Sequence, residues 1–209
     1  MKKWKTARLG NYCSFQEGYV NPSQRNPDYF DGDIKWIRAV DLNDGYIYDT
    51  SRKLTTKGFH SAGKSALLFK PETIVISKSG TIGRLGIIKD YMCGNRATIN
   101  IVPKSNADLY FIFYLLLTNQ KMIADLAVGS VQRNLYVSIL ENASFSFPDL
   151  EEQKKIGRFI SSITNKITVN NRLNDNLAAY RVTLETSISP DIRRGNRESL
   201  SKARRAFSR

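Results

Sequence analysis

The chain has 209 residues, 32 of them Lys or Arg and 19 Asp or Glu, for a net charge of +13. That length suits one ordinary domain with an appendage, and 41% hydrophobic with 11% aromatic content is enough to bury a core, which argues against a disordered basic tail. No apolar run approaches a membrane span, Trp4 and Arg8 interrupt any leader-like stretch, and Cys13, Cys93 and the single His60 leave no basis for a disulfide framework, a cysteine-rich zinc site or most histidine chemistry. These features describe a soluble, basic, cytoplasmic protein whose polyanionic partner is nucleic acid.

The charge is unevenly spread: residues 1–148 carry a net +7, residues 149–188 a net +1 and residues 189–209 a net +5. Within 1–148, β-branched and large apolar runs predict strands at Ile34–Ile37, Ala66–Phe69, Ile74–Ser77, Leu85–Ile88 and Ala97–Val102. Breakers such as Asp31-Gly32, Asp44-Gly45, Pro71, Ser79-Gly80 and Cys93-Gly94 separate them. Leu109, Ile112, Phe113, Leu116 and Met122–Ile123 recur at helical spacing and predict one helix from about Asn106 to Leu126. Strands followed by a packed helix make an α+β domain rather than a wound parallel sheet.

Pro148 ends the strand-like ASFSF, Asp149 is placed to cap a helix and Glu152 stands where a capping box wants it. Ile156, Ile160, Ile163, Ile167, Leu177 and Leu184 then alternate at spacings of four and three, with Asn170, Asn174 and Arg181 in the same register. A helix over 149–188 is a rod of roughly 58 Å. Such a rod cannot bury its stripe against a small domain alone, so a partner helix is expected, with polar residues in the seam fixing register; the alternative is a long helix folded back over its own domain. Pro190 opens an Arg-rich stretch with few large apolar residues, read as a disordered basic tail over 189–209.

Three catalytic motifs are imitated. Gly58–Ser65, GFHSAGKS, satisfies the phosphate-loop pattern, in which Lys64 would reach phosphates and Ser65 a metal ion. The preceding TSRKLTTK makes a poor buried strand, and Pro71 follows too soon for a helix. Asp149, Glu152 and Lys154 imitate a nuclease cluster, yet the acids open a helix, where its dipole already explains them. Asn26-Pro27-Asp28-Tyr29 lacks the second proline of a methyltransferase segment, and Gly80, Gly83 and Gly86 lack dinucleotide spacing. No catalytic and no metal-binding residue is assigned.

The turns hold the vocabulary of DNA reading instead. Lys78, Ser79, Thr81 and Arg84 surround one tight turn, Asn95 and Arg96 occupy the next, and Gln132, Arg133 and Asn134 lie in the loop Gly129–Asn134. Arg pairs bidentately with guanine and Asn or Gln with adenine, whereas Lys, Ser and Thr more often position phosphates. Lys35 and Arg38 are further phosphate candidates. Two rival readings are a nucleotide-binding protein built on Gly58–Ser65 and a basic nucleic-acid binder without sequence preference.

The segments IKWIRAVDL, FKPETIVISKSGTIGRLGI, GSVQRNLYVSILENASFSFPDLEEQKKIGRFI and NNRLNDNLA together resemble the specificity subunit of type I restriction-modification systems over about residues 4–188. The resemblance implies a target recognition domain at 1–148 that reads one half of a split double-stranded DNA site. It also implies a conserved spacer helix at 149–188 that packs antiparallel against a second helix and docks modification (methyltransferase) subunits, with the restriction subunit as a further partner. S-adenosylmethionine, ATP and Mg would then belong to those prokaryotic partner subunits, and this chain would bind no cofactor. Members usually carry two such units, and this sequence has one. A homodimer, or pairing with a second half-subunit, through Ile156, Ile160, Ile163, Ile167, Asn170, Asn174, Leu177 and Leu184 is therefore expected.

Overall fold

The computed structural model describes residues 4–130 and 132–187, with the backbone alone at 171, 172, 182 and 184–187. In chain order the elements are β1 (Lys5–Arg8), β2 (Cys13–Glu17), β3 (Phe30–Ile37), β4 (Gly45–Ile47), β5 (Lys53–Leu54), α1 (Thr56–His60), β6 (Thr73–Ser77), β7 (Leu85–Ile88), β8 (Cys93–Gly94), β9 (Thr98–Pro103), α2 (Leu109–Thr118), α3 (Gln120–Asp125), α4 (Val137–Asn142), β10 (Ser144–Phe147) and α5 (Leu150–Ser187). The α+β class expected from the sequence is the class observed.

Strands β6 and β7 are buried along their whole length. Side-chain alternation in a strand explains why both faces need cover. Ile74, Ile76, Leu85 and Ile87 face a core that includes Ile112, Phe113 and Leu116 of α2, while Val75 and Ile88 face Ile37, Leu42, Ile47 and Met92. The sheet order is β2-β9-β6-β7-β4, with antiparallel pairing except between β4 and β7. A three-stranded sheet β5-β3-β8 carries a third cluster around Val20, Phe30, Trp36 and Leu54. β1 pairs with β10, so the first strand is closed by the last one before the long helix.

Two expected elements differ. Ala66–Phe69 forms no strand, because only Phe69 makes a bridge, to Met92, and Leu67 and Leu68 lie exposed. The helix expected over 106–126 is two helices, α2 and α3, parted at Asn119. There the Asn119 side-chain amide donates to the Leu115 carbonyl at 2.8 Å and the Thr118 hydroxyl to Tyr114 at 2.9 Å, which takes carbonyls that a continuous helix would use.

α5 begins as expected, with Asp149 Oδ1 accepting from the Glu152 N–H at 3.0 Å. Its first turns pack on the domain: Gln153, 1% exposed, accepts from the Asp108 N–H at 3.1 Å and donates to the Pro148 carbonyl at 3.0 Å. Ile156 and Ile160 contribute to the main core. One compact unit runs through Ile160, and the remainder of the helix from Ser161 belongs to a second. In that second unit Ile163, Ile167, Leu173, Leu177 and Tyr180 are exposed, as are Asn170 and Asn174. The Leu184 side chain and the tail at 189–209 lie outside the described residues. Among the described residues no helix is long and apolar enough to cross a membrane.

Candidate nucleic-acid interface

The Lys78–Arg84, Asn95–Arg96 and Gln132–Asn134 segments converge. The β6–β7 turn closes with Gly83 N–H on the Ser77 carbonyl at 3.0 Å, and Gly80 and Gly83 adopt φ of +73° and +91°, values that favour glycine. Lys78 N–H donates to the Ala97 carbonyl at 2.8 Å, and the Lys78 carbonyl accepts from Leu135 N–H at 2.8 Å. The third loop closes on itself through paired Val128–Asn134 bonds of 3.0 and 2.8 Å. A shallow depression between the first and third loops is lined by Gly80, Ile82, Ala124, Gln132 and Arg133.

These side chains divide by what they already hold. Lys78 is tied to Glu17 at 2.6 Å. Asn95 Oδ1 accepts from Ala97 N–H at 3.0 Å, an Asx turn that shapes its own loop. The Arg133 guanidinium donates to the Ala124, Asp125 and Ala127 carbonyls at 2.9–3.2 Å, capping the C-terminal end of α3. Asn134 Nδ2 donates to the Gln132 carbonyl at 3.2 Å. By contrast Thr81, Arg84, Arg96 and Gln132 are exposed, and Ser79 is half-buried beside them. The longer three, Arg84, Arg96 and Gln132, are exposed with no side-chain hydrogen bond or ion pair among the described residues, whereas Arg133, also exposed, is engaged.

Lys35 and Arg38 sit apart in chemistry. Lys35 Nζ donates to the Tyr48 carbonyl at 2.6 Å and pairs with Asp90 at 2.7 Å. That hydrogen bond, with the Tyr91 N–H, holds the Asp90 carboxyl below the usual carboxylate range. Arg38 donates to Ser51 Oγ at 2.7 Å, lies 5.4 Å from the Trp36 ring centroid and 3.9 Å from Asp41. Lys35 fastens the 38–51 segment to β3, and Arg38 closes that segment on itself. Sequence spacing gives no hint of these partners, nor of the Glu17–Lys78 pair, because 61 residues separate the latter.

The family model for the type I restriction modification DNA specificity domain matches residues 1–179. The chain belongs to that family. Among relatives of this specificity-domain chain, the MjaIX specificity subunit of Methanocaldococcus jannaschii is 30% identical over 189 residues, covering 88% of this chain and 43% of that protein. The fold is shared with a chain from a structure concerning complex assembly and conformational transition of the type I R-M system, at TM-score 0.64 and 20% identity over 84% of this chain and 42% of the other. It is also shared with the S subunit of a type I restriction-modification system from M. genitalium, at TM-score 0.56 and 17% identity over 84% of this chain and 44% of that one. This specificity-domain chain thus spans less than half the length of each.

Within the domain, Gly58–Ser65 has none of the phosphate-loop geometry. Gly58 lies inside the short helix α1, where an added Cβ would fall 2.1 Å from the Tyr29 carbonyl oxygen. The strand before it, β5, has two residues, and Gly63–Ser65 forms a single 3-10 turn. Among the described residues no group of three His, Cys, Asp or Glu side chains is placed to hold a metal ion.

Proposed function

We propose that this chain is a DNA sequence-recognition subunit of a type I restriction-modification system, reading one half of a bipartite double-stranded target without performing chemistry itself. The observation that carries the reading is the three-loop edge, where main-chain bonds at Lys78 join segments far apart in sequence and Arg84, Arg96 and Gln132 are exposed. Arg and Gln are the side chains that read guanine and adenine edges in the major groove. Lys35, Arg38, Lys78, Ser79, Thr81, Asn95, Arg133 and Asn134 then shape or flank that edge, with Ser79 and Thr81 suited to phosphates.

The division of labour follows the chain. Residues 1–148 recognise DNA and residues 149–188 set spacing. The stripe of Ile163, Ile167, Asn170, Asn174, Leu177 and Leu184, continuing Ile156 and Ile160, meets an antiparallel helix of a second copy. Modification subunits dock on this assembly and supply S-adenosylmethionine chemistry, and a restriction subunit supplies ATP-driven, Mg-dependent cleavage. The setting is the prokaryotic cytoplasm, where the DNA is. Residues 189–209 are assigned no role.

Co-expression with the cognate modification subunit, followed by sequencing of methylated sites, tests this directly. A two-part palindromic target is expected from a symmetric pair. Competition binding across salt concentrations should retain a preference for that target as non-specific binding fades. Loss of all preference would reduce the chain to a general basic binder. Saturable ATP binding abolished by Lys64→Ala would replace the reading with nucleotide binding.

A further inference from the structure

A fourth loop leaves the same edge. Gly18 N–H donates to the Thr98 carbonyl at 3.0 Å and Val20 N–H to the Gly94 carbonyl at 3.1 Å. An added Cβ on Gly18 would fall 2.2 Å from the Asn95 carbonyl oxygen, so the backbone of Gly18 lies flat against the turn that carries Arg96. Val20 is 1% exposed and its carbonyl accepts from the Trp36 indole at 2.8 Å. The chain then runs through Asn21–Asn26 and returns to β3.

This loop is ordered by its own contacts. Pro22 is buried, and Asn26 N–H closes a turn on the Ser23 carbonyl at 3.2 Å. Gln24 is spent at both ends of its amide, accepting from Arg52 at 2.7 Å and donating to the Pro22 carbonyl at 3.4 Å. Arg52 is itself fixed 3.9 Å above the Phe30 ring. Asn26 Oδ1 accepts from Asp28 N–H at 3.1 Å. Two amides suited to adenine are therefore engaged by the protein, while Arg25, between them, is exposed and its guanidinium makes no hydrogen bond or ion pair among the described residues.

We infer that the Tyr19–Asn26 loop is a fourth DNA-contacting element, in which Arg25 meets the phosphate backbone and positions the duplex against the other three loops. The inference rests on the recognition function proposed above. A fixed turn presenting one uncommitted cation supplies charge and placement, and its neighbours leave little for base reading.

The test uses the full chain with its modification subunit, on the duplex identified by methylation mapping and on a scrambled duplex, from low to moderate salt. For Arg25→Ala the affinity for both duplexes should fall several-fold together, with the slope of log K against log salt smaller by about 0.9 for one lost phosphate contact. Arg25→Lys should restore the slope. Lys5→Ala, an equal loss of charge on β1, should leave it unchanged. An unchanged slope for Arg25→Ala overturns the inference. So does an equal fall for Lys5→Ala, or an altered target preference at constant slope. Target preference of the wild-type complex is read in the same experiment. If it persists while Arg25→Ala is silent, only this inference fails; if it is missing, the recognition function fails and this inference with it.

Discussion

The main-chain N–H of Leu135 donates to the carbonyl of Lys78 at 2.8 Å, joining residues 57 positions apart. Through that bond the loop ending at Asn134 is carried on the β6–β7 turn, and Lys78 N–H passes the connection on to Ala97. The candidate edge is thus one hydrogen-bonded framework with several side chains mounted on it. Framework and mounted groups should respond differently to mutation.

Arg133 belongs to the framework. Its guanidinium satisfies carbonyls at the end of α3, groups that a helix terminus otherwise leaves open. Arg133→Ala should destabilise the domain by about 1–2 kcal/mol, a drop of a few degrees in Tm by differential scanning fluorimetry. Arg133→Lys should recover little, since an ammonium lacks the planar fork that spans several carbonyls. An unchanged Tm would place Arg133 among the mounted groups.

Arg84, Arg96 and Gln132 are the mounted groups. Each truncation to Ala should change stability by less than about 0.5 kcal/mol, as for exposed side chains without special contacts. Binding to the mapped target should weaken instead. A base-contacting residue is worth about 1–3 kcal/mol at one base position, whereas a phosphate contact weakens all sequences alike. Target-variant competition for each mutant separates the two outcomes position by position. Three mutants with wild-type affinity and preference would remove this edge from the interface.

Both cysteines are core residues, Cys13 at 1% and Cys93 at 0% exposure. Burial pushes each thiol up to about 12, because the thiolate is the charged form. A folded pKa above the unfolded one means that stability is fully present below about pH 9. It declines as pH rises from there toward 12, where only the unfolded chain has lost its protons. Native protein at pH 8 should therefore resist a water-soluble thiol reagent, with two equivalents reacting after denaturation. Rapid modification of either thiol in the native state would contradict the burial.

Periodicity made the helix from Leu150 and the buried strands β6 and β7 legible, because a stripe of Ile at helical spacing and unbroken apolar runs admit few other solutions. It failed at Ala66–Phe69, where composition suits a strand but no neighbour supplies a ladder, and at Asn119, whose side chain interrupts a helix that its flanking residues favour. β8 and β5 have two residues each, too few for any periodic signal. For the candidate interface, polar turn residues marked three loops that main-chain bonds bring together in the fold. Which of them are committed depends on partners such as Glu17 and the Ala124 carbonyl, which only tertiary folding brings near.

The exposed side chains along α5 beyond Ile160 set the last prediction. Leu177 and Tyr180 are 67% and 70% exposed, and Ile163 and Ile167 are 44% and 55% exposed. Two facing stripes of this kind would bury apolar area worth roughly 25 cal/mol per Å², whereas in a lone helix it stays wet. Asn170 and Asn174 in the same register would pair only in one alignment, favouring a defined antiparallel register over slippage. The double substitution Ile163→Glu with Leu177→Glu puts charges into that seam and should shift sedimentation velocity from dimer to monomer. The Tm of the unit that ends at Ile160 should hold, because neither residue lies in it. A wild-type chain that sediments as a monomer at tens of micromolar would instead assign the stripe to a different partner chain.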